Sequence, residues 1–237
     1  WREIMRSING KRLVIFGCGY IGSVLAQAVI AAGARVEALT RNPEKAAKLR
    51  AAGLAPVVVA DLAATDWHRK ITGQVDFVVN CVSSGGTGNP RPVYVDGMAS
   101  IIAWAAQSAV PVGTLVYTSS TSVYAQSGGV LVDESASAED AAPNGSIIRE
   151  SEILLQQAPP LAIRRHFILR LAGIYGPGRH HLLDQVRDGS GQLGGSGGHR
   201  LNLAHRDDIV AAILACLGAS SDVDSGIFNV ADSAPAP

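Results

Sequence analysis

The chain has 237 residues, of which 47% are hydrophobic and 17% charged, with a formal net charge of zero. This is enough apolar material for one large α/β domain, or a domain with a small cap, and it excludes a disordered polymer. The zero charge without a basic run argues against a nucleic-acid partner, and the longest apolar stretch, 209–217, falls far short of the ~20 residues that cross a bilayer.

Residues 1–9 contain no apolar signal-peptide core. The apolar run 13–16 predicts a first strand, and the spacing over 20–32 predicts a helix behind it. Further strands are predicted at 36–39, 56–60, 77–82, 114–118 and 166–171, with helices over 43–52, 93–108 and 147–157. Pro43 after Asn42 marks a helix start, because proline sets φ and the Asn side chain can cap. Most of the strand runs are continuously apolar, as in a parallel sheet covered on both faces. Alternation of strand and helix therefore predicts α/β architecture with a doubly wound parallel sheet. Six glycines within 189–198 predict a mobile loop or lid, 203–217 returns to a helical pattern, and 226–230 predicts a last strand. The sequence stops at Pro237 directly after that strand, so a further C-terminal segment is expected. Cys18, Cys81 and Cys216 have no metal-ligand spacing and are expected to be reduced thiols in a cytoplasmic protein.

Gly17-Cys18-Gly19-Tyr20-Ile21-Gly22 is a G-x-G-x-x-G motif that follows a strand and opens a helix. In that context Gly17 permits a tight turn, Gly19 lets the backbone approach a pyrophosphate, and Gly22 allows close helix–strand packing. The helix N-terminus offers N–H groups and a positive dipole end to the phosphates. This is the cofactor site of a Rossmann-like fold, expected over 1–165, with 166–237 completing the sheet and forming the substrate side. At the end of the second strand an NAD site usually carries an acid for the ribose 2′-OH. Here Thr40 stands there with Arg41 after it, and Glu37 comes too early in the strand. Arg41 suits a 2′-phosphate, so NADP is expected ahead of NAD. Asp61 and Leu62 close the third strand, where a polar group either meets the adenine or caps a helix. Cys81, Val82 and Ser83, at the end of the fourth strand, complete the cofactor side.

Four later segments carry a family resemblance. Val116-Tyr117-Thr118-Ser119-Ser120-Thr121-Ser122-Val123-Tyr124 looks like an "SSxxVYG" segment, and Leu169 to Gly178 like "LRxxxxYGPG". Leu203 to Asp208 resembles an "HxxD" region and Phe228-Asn229-Val230 a "YNV" strand. The chain thus resembles the extended short-chain dehydrogenase/reductase superfamily, the group of NAD-dependent epimerases and dehydratases of sugar nucleotides. That resemblance implies a Tyr-x-x-x-Lys pair on the helix after the fifth strand, where the lysine lowers the tyrosine pKa. No Tyr-x-x-x-Lys occurs in this sequence. With Glu152 aligned on the acid that ends the segment, Asn144 holds the tyrosine place and Ile148 the lysine place, as in the atypical branch.

The resemblance also places Ser120 at the substrate oxygen, Arg149 as a substitute positive charge, and the phenols of Tyr124 and Tyr175 near the cleft. His180 and His181 fall on the substrate side as a base or as solvated loop residues. Their adjacency lacks the i, i+4 spacing of a helical zinc site, so no metal is expected. Two readings follow. One is an NADP-dependent oxidoreductase or epimerase-like enzyme acting on a nucleotide sugar or similar polar small molecule. The other is a non-catalytic NADP-binding sensor or scaffold. Relatives pair through the helices here at 93–108 and 147–157, which implies a homodimer.

Overall fold

The computed structural model describes residues 2–85, 88–139, 141–189 and 200–232, with the side chains of 181–183 outside that description. Nine strands occur among these residues: β1 (Arg12–Phe16), β2 (Arg35–Thr40), β3 (Val57–Val59), β4 (Phe77–Asn80), β5 (Val112–Ser120), β6 (Ile163–Leu171), β7 (Gly173–Tyr175), β8 (Leu203–His205) and β9 (Gly226–Val230). Seven of them form one parallel sheet in the order β3-β2-β1-β4-β5-β6-β9. The sheet reads outward from β1 in both directions, so a topological switch point lies between β1 and β4. The other two strands, β7 and β8, make a small parallel pair of their own.

Seven α-helices accompany the strands among the described residues: α1 (Arg2–Ile8), α2 (Gly22–Ala31), α3 (Pro43–Ala51), α4 (Gly97–Ala105), α5 (Pro143–Gln156), α6 (His181–Arg187) and α7 (Arg206–Leu217). The start of α3 follows its local code, since Asn42 Oδ1 accepts from Lys45 N at 2.9 Å and Pro43 takes the first position. Two sequence expectations need correction. Residues 203–205 are the strand β8, pairing with β7 about thirty positions earlier; three residues are too few to show a period. The stretch 93–108 is not one helix, because a π-helical turn, Pro92–Asp96, precedes α4. The sequence reading also lacked α1 and α6. The glycine-rich stretch 189–198 lies outside the described residues except for Gly189.

Side chains alternate between the two faces along each buried strand. Leu13, Ile15, Phe77, Val79, Phe167 and Leu169 join a cluster with Leu25, Val29, Ile209 and Ile213 of α2 and α7. Val14, Phe16, Val78, Leu115 and Ile168 join the opposite cluster with Met98, Ile101 and Trp104 of α4 and Leu155 of α5. Phe16, Trp67 and Trp104 meet there at centroid distances of 5.1–5.9 Å, mostly edge-on, the arrangement favoured by ring quadrupoles. Two buried faces explain why the strands read as continuous apolar runs. They also leave the loops at the C-terminal strand ends as the place where polar residues gather.

Candidate functional site

A cleft of about 400 Å³ runs along the C-terminal ends of β1, β2, β4, β5 and β6, across the switch point. Gly17, Cys18, Gly19, Tyr20 and Ile21 line it after β1, and Thr40 and Arg41 after β2. Asp61 and Leu62 line it after β3, and Cys81, Val82 and Ser83 after β4. Gly22 is not on the surface of the cleft but beneath it.

The three motif glycines differ in what they permit. Gly17 has φ +88°, and a Cβ there would stand 2.6 Å from the backbone of Cys81. A Cβ on Gly22 would lie 2.5 Å from Gly17 O, so only glycine lets α2 pack this closely under the turn. A Cβ on Gly19 would meet nothing nearer than Gly17 O at 3.9 Å, and the space in front of it is open to the cleft. Such a hollow fits a pyrophosphate. The N-cap residue of α2, Ile21, makes no side-chain cap, and the first turn holds no acid, so the helix's positive end faces the cleft unneutralised. Cys18 belongs to the turn as packing: burial pushes its thiol up to about 11, against a small downward pull from Lys45.

Beyond β2 the site is cationic. Arg41 is largely exposed, and its ion-pair partner among the described residues is Asp61, at 3.9 Å. Lys45, absent from the sequence-derived site, also lines the cleft and forms no ion pair among the described residues. Its signal was available: it is the third residue of α3, one turn beyond Arg41, on the helix that Asn42 caps toward the strand ends. Glu37 is buried within the sheet and bonded to Arg12 Nε, well away from the strand end. No helix starts at Asp61, so it is not a helix cap: its Oδ1 accepts from Ala63 N at 3.0 Å within a turn, while its other oxygen faces Arg41.

At the other end of the cleft lie Ser119, Ser120, Ile148 and Tyr94. Ser120 Oγ accepts from Ser122 N at 3.1 Å and so keeps its own proton to donate. Ile148 presents a buried aliphatic side chain where the resemblance would place a lysine. Tyr94 comes from the π-helical turn, packs against the cluster of Val123 and Ile148, and accepts from Ser84 N at 3.4 Å. Sequence reasoning placed it inside the helix predicted over 93–108 and gave it no role, because it meets Val123 and Ile148 only through the fold.

The remaining sequence candidates are placed elsewhere. Arg149 donates to Glu152 at 3.0 Å and Gln156 at 3.1 Å and is not among the cleft residues. Tyr124 donates to Asn229 Oδ1 and accepts from Arg170 Nη1, both at 2.8 Å, behind the strand ends. Tyr175 packs edge-on against His205 at 5.1 Å. His180 precedes α6 and does not line the cleft, and the side chain of His181 lies outside the described residues. Arg179, one residue earlier, does line it. Among the described residues, no group of three or more His, Cys, Asp or Glu could hold a metal ion, and no helix is long and apolar enough to cross a membrane.

Comparison with known proteins agrees with this architecture. Residues 13–231 match the model of the NAD dependent epimerase/dehydratase family. Protein YeeZ of Escherichia coli K12 is 28% identical over 227 residues, covering 93% of this chain and 77% of that protein. A structure described as a putative NAD-dependent epimerase/dehydratase from Methylobacillus flagellatus is 26% identical with a TM-score of 0.76, covering 96% of this chain and 77% of that one. UDP-glucuronic acid 4-epimerase from Bacillus cereus, solved in complex with NAD, shares the fold at 19% identity and a TM-score of 0.79, covering 95% and 79%. The chain belongs to the NAD-dependent epimerase/dehydratase family.

Proposed function

We propose that this chain binds NADP in the cleft and uses it to reduce, or to oxidise and reduce in turn, a polar small molecule such as a nucleotide sugar. The observation that carries the reading is the end of β2. Thr40 stands where an acid would select NAD, and Arg41 and Lys45 add two cations beside it. A 2′-phosphate would receive charge-assisted hydrogen bonds there, and the distant pair with Asp61 is weak enough to yield. Gly17, Gly19 and the uncapped start of α2 would hold the pyrophosphate. The nicotinamide, when bound, supplies or accepts a hydride.

This chain's residues supply the remainder. Ser120 hydrogen-bonds the substrate oxygen. Tyr94 donates its phenolic proton to that oxygen as negative charge develops, and solvent reprotonates the phenolate. Arg149 serves to hold Glu152. The substrate occupies the crevice between the strand ends and the region of β7 and β8.

A second reading, a dinucleotide-binding sensor without turnover, is favoured by one observation: the apolar Ile148 inside the cleft. Titration of the purified chain with NADPH and NADH, followed by nicotinamide fluorescence, tests the cofactor. NADPH is expected to bind at least about tenfold more tightly, and Arg41→Ala to remove most of that preference. Equal affinities, or no binding of either, would sink it. A panel of nucleotide sugars assayed with NADPH and NADP then separates enzyme from sensor.

A further inference from the structure

The turn after β7 is tied to the glycine motif from across the chain. Arg179 N donates to Gly176 O at 2.9 Å and Gly176 N to Arg179 O at 3.3 Å, which closes a tight turn. Tyr20, inside the glycine motif, donates its hydroxyl proton to Pro177 O at 3.0 Å and pins that turn in place. The guanidinium of Arg179 then sits 5.4 Å from the centre of the Tyr20 ring, and that of Arg206 sits 5.2 Å from it. Arg206 is compensated by Asp207 at 2.8 Å. Arg179 has no carboxylate within ion-pair distance among the described residues, is exposed, and lines the cleft beside Tyr20. The uncompensated guanidinium of Arg179, next to the uncapped positive end of α2, leaves positive charge that an anion would relieve.

We propose that Arg179 is a phosphate clamp, holding the diphosphate of the bound dinucleotide against the glycine turn from the second half of the chain. The inference rests on the dinucleotide reading and adds to it. Arg41 would discriminate NADP from NAD, whereas Arg179 would contact the part common to both. The Tyr20 ring holds the guanidinium within cation–π range, 5.4 Å from its centre, beside the glycine turn.

Arg179→Ala, Arg179→Lys and Arg41→Ala should be titrated with NADPH, NADH and UDP. With Arg179→Ala, NADPH and NADH are both expected to bind about tenfold or more weakly, by similar factors, and Arg179→Lys to recover part of the loss. Arg41→Ala should weaken NADPH alone. Unfolding temperatures without ligand should match the wild type, because Arg179 is exposed. Unchanged affinity of Arg179→Ala for both dinucleotides overturns the clamp while leaving the cofactor reading intact. A loss confined to UDP also overturns it, assigning Arg179 to the diphosphate of a second nucleotide. A wild-type chain that binds neither dinucleotide removes both proposals together.

Discussion

The phenols of this chain are sorted by where their protons go. Tyr117 is buried beneath the sheet against Ser151, and burial raises its pKa far above the usual phenol value. Tyr124 commits its proton to Asn229, and Tyr20 commits its own to Pro177 O. Tyr94 instead accepts from a backbone N–H, which leaves its proton for a partner in the cleft. Tyr94→Phe should therefore lower kcat by about 100-fold or more on any carbonyl substrate the wild type reduces, with the NADPH dissociation constant unchanged. An unaltered kcat would mean that the proton comes from another group. Ser120→Ala offers a contrast, since loss of substrate orientation would raise KM as well.

Between elements, the strongest polar tie is made by Glu152 on α5. Its carboxylate is fully buried and receives Arg170 Nε at 3.0 Å and Nη2 at 2.8 Å. Ser119 Oγ donates to it at 2.6 Å, and Arg149 adds a fourth bond. Arg170 passes on to Tyr124, and Tyr124 to Asn229 of β9, so α5, β5, β6 and β9 share one network. Ser119 and Ser120 are adjacent, and the network thereby sets the direction of the strand end that carries the Ser120 hydroxyl. Removing the acid leaves Arg170 as a buried charge with no counter-charge. Glu152→Ala is expected to cost about 3–5 kcal/mol in urea unfolding. A loss below 1 kcal/mol would show that water or another group compensates Arg170.

For the molecule as a whole, buried titratable groups bound the pH range of stability from both sides. Burial pushes Cys18 and Cys216 up to about 11 and Cys81 up to about 12, from 9.0 for a free thiol. Above pH 9 the unfolded chain releases protons that the native state retains, so stability falls as pH rises toward 11. Burial holds His68 and His166 below their ordinary 6.5. His68 is fixed between Ser100 and Gln107, each at 3.0 Å, in a neutral tautomer. Below pH 6.5 the unfolded chain takes up protons that the native state refuses, and stability falls again. Urea midpoints measured from pH 5 to 10 should therefore peak between about 6.5 and 9. A midpoint that keeps rising above pH 9 would contradict the thiol argument.

Much of this protein was legible in its sequence because the relevant physics is local. Continuous apolar runs marked the buried parallel strands, and the glycines at 17, 19 and 22 marked the turn over which a Cβ could not fit or would close the hollow. Thr40 and Arg41 could be located by counting along one strand. What the fold alone decided was the direction of side chains brought together from distant segments. Arg149 stands next to Ile148 in sequence, yet a helix sends adjacent residues about 100° apart, so the isoleucine enters the cleft and the arginine goes to Glu152. Tyr94 reaches the cleft only because the π-helical turn packs on α5, and Arg179 only because Tyr20 anchors its turn. Neither contact leaves a periodicity in the chain, since each joins surfaces that become neighbours only once the sheet has formed.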